Sequence, residues 1–330
     1  MNKRVVIHVL GYRASKYLEQ GSLNQMIEAA KRISNCSVHI VFQDNYSQDG
    51  SIQIAMNAQN VDVLLSTENL MYTGGINSGL QYIEYCYHPD YVILADADNF
   101  CEIEIYQKLF LFMEQNPNVG ITQPLVVSKK DPSHIYSCGH TYVDGIFCRP
   151  IHSMPNNPDD LLDLKSCSIC SSIIRMDVLR KIGLLNECFK IYYESSDLSF
   201  RIRKAGYLCA CDQEAVAYNE GTIVSTTGNY HEAYYRMRNG LIFWYMHNMA
   251  SFQKMKEICL MELEPLAKDY NNHEFCTDCV KESTRKGIVD GLAICEKYSP
   301  DELTMMSPTL NEFNKSKLIV LCQGDEIHGS

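Results

Sequence analysis

The sequence holds no apolar run near the roughly 18 residues that a membrane span requires; Leu241-Ile-Phe-Trp-Tyr-Met246 is among its longest and falls far short. Basic residues are scarce as well. There are 29 Lys and Arg against 40 Asp and Glu, a net charge of −11, which argues against a nucleic-acid backbone as the main partner and against loose adhesion to anionic lipid. A nucleotide remains admissible, because a bound cation inverts the sign inside a cleft. The chain has no P-loop lysine motif, no dinucleotide-type G-x-G-x-x-G, no repeat and no low-complexity tail. Its opening, Met1-Asn-Lys-Arg-Val-Val-Ile-His-Val-Leu10, is basic and then apolar, yet too short for a signal core and without a small-residue cleavage site. A first strand is expected there, in a cytoplasmic protein that is at most peripheral to a membrane.

Cysteine is not scarce. Fifteen thiols accompany a composition that is 46% hydrophobic, which reads as buried thiols in a reducing compartment rather than as a disulfide scaffold. Cys167-x-x-Cys170 and Cys276-x-x-Cys279, the latter near His273, lack a second ligand pair at finger-like spacing, so no structural zinc is expected.

Apolar runs alternate with helical patterns through the first part of the chain. Val5–Leu10, Val38–Phe42, Val61–Leu65 and Tyr91–Ala95 read as strands. Between them fall helices: one opened by the capping-box spacing Ser22-Leu-Asn-Gln25 and running to about Ile33, then Ser51–Asn57 and Ile76–Tyr87, with Glu102–Gln115 after the fourth strand. Such alternation implies right-handed crossovers and a parallel sheet, whose ligands bind at the carboxyl ends of the strands. After Val119–Val127 the pattern changes. Residues 128–165 read as loops with short strands near Thr141–Cys148, Met176–Ile182 as a helix, and Ser196 as the cap of a helix to Ala205 with Gly206 at C′. Tyr207–Tyr218 returns as strand, and Tyr234–His247, Phe252–Lys268 and Cys279–Cys295 read as helices.

Three segments following strands carry candidate chemistry. Asp96-Ala-Asp98 follows the fourth strand, and its hard oxygen ligands suit Mg²⁺ or Mn²⁺, which in turn suits a diphosphate. Asp44-Asn-Tyr-Ser-Gln-Asp-Gly-Ser51 follows the second strand; Asp44 can accept from a base N–H or a ribose hydroxyl, or the segment is simply a turn with a helix cap. Asn69-Leu-Met-Tyr-Thr-Gly-Gly-Ile-Asn-Ser-Gly-Leu80 follows the third strand; Gly74 and Gly75 permit close backbone approach at a helix start, near phosphate or sugar, or form a tight turn. Taken singly, each has an ordinary structural explanation.

Together these segments resemble the inverting family 2 glycosyltransferases of the GT-A fold, over roughly residues 4–250. Asp44-Asn45-x-Ser47-x-Asp49-Gly50-Ser51 is similar to that family's second-strand signature. Asn69–Leu80 is similar to its N-x-G-F-x-G-G-x-N-x-G-L segment, with Met71 where Gly is usual. Ile174-Arg175, Val178-Leu-x-x-Ile-Gly183 and Asn186-Glu187-x-Phe189 resemble its acceptor-side strand and turn, Tyr192–Arg201 its E-D-x-D-L-x-x-R element, and Tyr234-Tyr-x-x-Arg238-Asn239 a later helix. Lys286-Gly-Ile-Val-Asp-Gly-Leu292 resembles the tail of a rhamnosyltransferase-like branch.

The resemblance implies an α/β GT-A (Rossmann-like) fold: a mixed, mainly parallel sheet flanked by helices, with a helical C-terminal extension. It divides into residues 1–250, of which 1–127 bind the nucleotide sugar and 128–250 face the acceptor, and 251–330. The implied reaction moves a sugar from a UDP- or dTDP-sugar to a hydroxyl of a saccharide, lipid-linked, peptide or small-molecule acceptor, with Mn²⁺ or Mg²⁺ as cofactor. Tyr12 would stack on the base and Asp44 bond the base or ribose, with Gly74, Gly75, Asn77, Asp96 and Arg238 around the donor. Asp96 and Asp98 would hold the ion. A carboxylate would take the acceptor proton. The usual base position is Ser195 here, so Glu194 of Glu194-Ser-Ser-Asp197 is expected as base, with Asp197 as the alternative or as an i,i+4 structural partner of Arg201. Asn219 stands where many members carry a histidine, for which His231 or Arg238 would compensate. The helical end would shape the acceptor side or a homodimer contact. Two other readings stand beside this one: a glycosyltransferase-like scaffold without catalysis, and a sugar-nucleotide nucleotidyltransferase, for which Leu10-Gly-Tyr-Arg-Ala-Ser-Lys16 is a poor triphosphate loop.

Overall fold

Val5 to Leu10 is apolar almost throughout, and a strand apolar on both faces must be covered on both. The computed structural model, which describes residues 2–143, 147–219, 230–257, 259, 277–311 and 313–321, places that strand at the centre of the main sheet. In chain order the strands are β1 (Lys3–Gly11), β2 (Cys36–Asp44), β3 (Val61–Ser66), β4 (Tyr91–Asp96), β5 (Phe100–Cys101), β6 (Val119–Ser128), β7 (Ile135–Ser137), β8 (His140–Val143), β9 (Phe147–Pro150), β10 (Ser172–Arg175), β11 (Leu208–Asn219) and β12 (Leu318–Leu321). The helices are α1 (Ser15–Glu19), α2 (Ser22–Ala30), α3 (Ser51–Met56), α4 (Met71–Tyr87), α5 (Ile105–Gln115), α6 (Met176–Ile182), α7 (Glu194–Lys204) and α8 (Tyr230–Met246), followed by Thr277–Lys297 and Pro300–Thr304.

The main sheet runs β12-β3-β2-β1-β4-β10-β6-β11-β5, with β7 beside β6. β3, β2, β1 and β4 are mutually parallel, and β6 is parallel to β11. β10 is inserted antiparallel between β4 and β6, so the sheet is mixed. β8 and β9 form a separate hairpin. Alternate residues of β1 serve two cores. Val5, Ile7 and Val9 join Met26 of α2 and Leu109 of α5, while Val6 and Leu10 join Ile76, Leu80 and Ile83 of α4. A third core, around Phe189, Phe243 and Ile288, binds α8 to the loop before α7 and to the helix Thr277–Lys297.

The C-terminal region is helical, as expected, and it also supplies β12, whose short apolar run pairs antiparallel with β3. Gly287 and Gly291 explain the Lys286–Leu292 segment. A Cβ at Gly287 would lie 2.4 Å from the Tyr234 carbonyl oxygen, and one at Gly291 3.0 Å from that of Arg238, so these glycines let two helix backbones touch. Between them Asp290 accepts from the Tyr234 hydroxyl at 2.7 Å. Of the expected helix Phe252–Lys268, residues 252–257 are helical and most of the remainder lies outside the described residues, as do Cys276 and His273.

Three helix starts differ from expectation. Ser22 is the first residue of α2 rather than its cap; the N-cap is Gly21 in the left-handed region, and the Ser22 hydroxyl donates to the Ala97 carbonyl at 2.7 Å. α4 begins at Met71 rather than Ile76, because the Asn69 side chain accepts from the Met71 amide at 2.8 Å and turns the chain early. α7 begins at Glu194, leaving Ser196 inside it, because Tyr192 and Tyr193 take φ of 65° and 71° and set the turn two residues sooner.

Under α4 lies a buried polar chain. His8 Nε2 meets Gln43 Oε1 at 3.0 Å, and Gln43 Nε2 donates to Ser66 Oγ and Ser78 Oγ, each at 3.0 Å. Burial lowers the His8 pKa to about 4, so the ring is neutral. Gly79 makes this possible, since a Cβ there would stand 2.3 Å from His8 Nε2 and 2.5 Å from Gln43 Oε1. Gly79→Ala is expected to destabilise the fold by about 1–3 kcal/mol through overpacking, despite alanine's better helix propensity. Urea unfolding of the two proteins at neutral pH checks this.

Candidate active site

The carboxyl ends of β1, β2 and β4 and the start of α4 enclose an open cleft of about 340 Å³. One wall is the loop after β1, which carries Tyr12, 47% exposed and stacked by the Arg13 guanidinium at 5.3 Å. The loop after β2 holds this wall in place. The consecutive amides of Arg13, Ala14 and Ser15 donate to Ser47 Oγ, Ser51 Oγ and Asp49 Oδ2 at 2.8, 3.2 and 3.1 Å. The polar run Asp44–Ser51 is therefore a brace for the segment carrying Tyr12. Asn45 ties the same loop to the opposite wall: its Oδ1 accepts from the Leu70 amide at 3.1 Å and its Nδ2 donates to the Met71 carbonyl at 2.9 Å.

The cleft floor holds the acidic pair. Ala97, between the two carboxylates, is pinned on both sides of its peptide plane: its amide donates to the Leu10 carbonyl at 2.9 Å and its carbonyl accepts from Ser22. Asp96 and the exposed Asp98 both line the cleft. Burial, together with the Asp98 charge beside it, raises the Asp96 pKa to about 7. Two like charges crowded at one end of a concave site are what a divalent cation relieves, and hard oxygen donors match Mg²⁺ or Mn²⁺. The pair therefore fits such an ion. Among the described residues no third His, Cys, Asp or Glu completes a cluster, so the remaining ligands would be water and phosphate oxygens.

Glu194 approaches the floor from the other half of the molecule. It is the first residue of α7 and 7% exposed; Oε1 accepts from the Ser195 hydroxyl at 3.1 Å and Oε2 has no hydrogen-bond partner. Burial raises its pKa, with Arg236 opposing. Its charge reaches both Asp96 and Tyr72, which line the cleft. Asp197, one turn on, is different. It is 0% exposed, and both oxygens are taken: Oδ2 by the Arg201 guanidinium at 2.8 Å and Oδ1 by His247 Nε2 at 2.9 Å. Arg201 also donates to the Ile182 and Leu184 carbonyls. Burial alone would raise the Asp197 carboxyl, but Arg201 and His247 outweigh it and hold it below the usual range.

The other expected residues divide as follows. Asp44 is buried below the cleft; its Oδ1 accepts from the Ser47 amide at 2.7 Å, its Oδ2 is unpartnered, and burial raises its pKa. Gly74 and Gly75 lie inside α4 and do not line the cleft; a Cβ at Gly75 would lie 3.1 Å from Leu10, so this residue serves close packing of helix on sheet. Asn77 spends its amide on the turn before α7, exchanging bonds with the Leu185 backbone at 2.9 and 3.0 Å. Arg238 donates to the Cys188 carbonyl at 2.9 Å and Asn239 to the carbonyls of Ile191 and Tyr192 at 2.8 and 2.9 Å, so this motif fixes the turn that launches Glu194. His231 sits exposed in the first turn of α8, and Asn219 at the end of β11 accepts from the Lys129 amide. Cys167 points into the core near Cys209, whereas Cys170 faces Asp96, so the pair does not converge on a metal.

Sequence reasoning passed over Tyr72 and Asn69, which line the cleft, and Arg236, the cation nearest in effect to Glu194. Arg236 pairs with Glu232 at 2.7 Å and stacks on Tyr192 at 4.7 Å. The i,i+4 spacing from Glu232 was visible, but that spacing alone signals only a solvated helix pair.

A mixed, mainly parallel sheet with an aspartate pair at the carboxyl end of its central strands is the arrangement expected of the GT-A fold. The chain belongs to glycosyl transferase family 2, whose family model matches residues 16–183, just over half of its 330 residues. Its fold is similar to that of the mannosyltransferase PcManGT from Pyrobaculum calidifontis, solved with GDP-Man and Mn²⁺: 12% identity, TM-score 0.55, covering 90% of this chain and 88% of that one. S. aureus TarS 1–349 in complex with UDP-GlcNAc matches with 16% identity and TM-score 0.48, over 89% of this chain and 90% of that one. No curated protein matches the chain.

Asp197→Asn is expected to cost about 3–5 kcal/mol, because it leaves Arg201 buried without its counter-charge. The Asp197 contribution is complete above about pH 4 and is lost as pH falls through the depressed folded-state value. Urea unfolding of wild type and variant, at neutral pH and in acid, measures both.

Proposed function

We propose that the protein is an inverting, metal-dependent glycosyltransferase that moves a sugar from a UDP- or dTDP-sugar to an acceptor hydroxyl. The observation that carries this reading is the Asp96–Asp98 pair in the cleft, together with a buried carboxylate, Glu194, whose charge reaches Asp96 and which keeps an unpartnered oxygen.

Each group has a part. Tyr12 offers an exposed ring for stacking on the base, held by a loop that is braced at three consecutive amides. Asp44 carries a buried, unpartnered oxygen of the kind that accepts an N–H from a pyrimidine. Asp96 and Asp98 would hold Mn²⁺ or Mg²⁺, which when bound neutralises the diphosphate leaving group. The Mn²⁺ in the mannosyltransferase structure supports this choice of ion. Glu194 takes the acceptor proton as the hydroxyl oxygen attacks C1 from the face opposite the leaving group, which inverts the anomeric centre. Asp197 is not the base in this reading, because neither of its oxygens is free; it positions α7. Burial of Glu194 raises its proton affinity, the direction that favours a general base.

The experiment that tests the function is a thermal-shift and calorimetric panel of UDP, dTDP, GDP, CDP and ADP, each with and without Mn²⁺. A metal-dependent shift with UDP or dTDP is expected, worth about 2.7 kcal/mol at a hundredfold excess over Kd. No shift with any of the five overturns the reading. Asp98→Ala is expected to abolish metal-dependent nucleotide binding. Glu194→Gln should keep that binding and lower kcat by about 10²–10⁴; full turnover in this variant would move the base elsewhere.

The pH dependence follows from Asp96. Its proton competes with the cation below the pKa of about 7, so the apparent Mn²⁺ affinity should rise with pH from about 6 to 8. The sign for stability without metal is the opposite. Without metal, the raised Asp96 pKa means that stability is lost as pH climbs from the unfolded value near 4 toward 7. Bound metal removes that loss, so the Mn²⁺-induced thermal shift should be larger at pH 8 than at pH 6.

A further inference from the structure

We propose that a second cavity, beside the donor cleft, is the acceptor subsite, and that the acceptor it takes is a saccharide, recognised as a neutral, hydroxyl-rich ring. This rests on the reading of the cleft as a nucleotide-sugar site and narrows the acceptor to one chemical class.

The cavity measures about 270 Å³, near the lower end of ligand pockets. Three segments distant in sequence build it. The loop after β3 supplies Glu68 and Asn69, the turn before α7 supplies Glu187 and Lys190, and the residue before β12 is Lys317. Asn69 and Met71 line both this cavity and the donor cleft, and Ile191, next to Lys190, lines the cleft, so the two spaces share a wall. Each segment is tied through its backbone. The Thr73 amide donates to the Lys190 carbonyl, the Thr67 amide to the Lys317 carbonyl and the Glu187 amide to the Met306 carbonyl, each at 3.1 Å. Met71, on the shared wall, sits at φ 58°, in the left-handed region that favours glycine, and such strain collects where ligands are clamped. A group held here lies beside the donor, which is what transfer requires.

The charges decide the class of ligand. Lys190 and Lys317 share the cavity with Glu68 and Glu187, yet none of the four comes within 4.0 Å of an opposite charge among the described residues. Glu187 Oε1 has one long contact, from Asn77 Nδ2 at 3.4 Å. An anionic acceptor would be opposed by the two carboxylates and a cationic one by the two ammonium groups. An alkyl chain would leave all four without a partner. An ammonium only donates and a carboxylate only accepts, whereas a hydroxyl does both, so the neighbouring hydroxyls of one sugar ring can engage the whole set.

The test measures binding of the methyl glycosides of glucose, galactose, mannose and N-acetylglucosamine by saturation-transfer NMR, with protein saturated in Mn²⁺ and UDP or dTDP. Wild type, Lys317→Met and Glu187→Gln are compared. Wild type is expected to bind at least one glycoside. Each variant should weaken it about tenfold or more, the loss of one hydrogen bond to a charged group, with nucleotide affinity and melting temperature unchanged. Glycoside affinity unchanged in either variant, or no glycoside binding by a wild type that binds the nucleotide, overturns the subsite and leaves the donor reading standing. Binding of inorganic phosphate that is lost in Lys317→Met overturns the neutral class. Failure of wild type to bind any nucleotide overturns the donor reading, and the acceptor assignment with it.

Discussion

A carboxylate shut away from water organises the region around α7. Asp197 has no exposure, and it stays ionised because Arg201 and His247 take its two oxygens. The same guanidinium reaches back to the carbonyls of Ile182 and Leu184. One buried ion pair therefore joins α7, the turn after α6 and the end of α8. Glu194 is the first residue of α7, so its position in the cleft depends on this clamp. The strained turn before it is held from the other side, where Asn239 grips the carbonyls of Ile191 and Tyr192. Conformations this costly persist where several elements fix them at once.

The loops after β1, β2 and β4 are held on a different principle. There the polar side chains after β2 are spent on the backbone of the loop after β1, and Asn45 spans from that brace to the start of α4. Ser22 and the Leu10 carbonyl fix the peptide of Ala97, which aims Asp96 and Asp98. The acidic pair has a rigid frame but an unfavourable electrostatic environment, as the raised Asp96 pKa records. Charge repulsion concentrated in a stiff site is a standing demand for a cation, and a donor diphosphate brings a matching charge of its own.

Much of the site was legible in the chain. Asp96 and Asp98 fall where strand-end logic put them, Tyr12 lines the same cleft as the family resemblance implied, and the parallel β3-β2-β1-β4 core follows from its alternation of apolar runs and helices. The glycines were misleading for a physical reason. Gly74 and Gly75 look like a phosphate-binding turn in one dimension, but in the fold they sit inside α4, with Gly75 packed over Leu10. A glycine that frees a turn and one that makes room for a neighbour are identical in sequence. Ser22 shows the same limit: capping-box spacing does not say whether its hydroxyl will serve its own helix or a carbonyl 75 residues away.

What is local and periodic was fixed along the chain: which runs become strands, which carboxylates stand at strand ends, and that Glu194 and Asp197 lie three residues apart at the start of a helical segment. Tertiary structure alone decided which of those two carboxylates is free. Both are acidic residues in the first turn of α7, and only the approach of Arg201, His247 and the chain at Ile182–Leu184 occupies one and leaves an oxygen of the other unpartnered. Hydrogen-bond saturation depends on groups distant in sequence that arrive together only when the core closes, and no pattern along the chain encodes it.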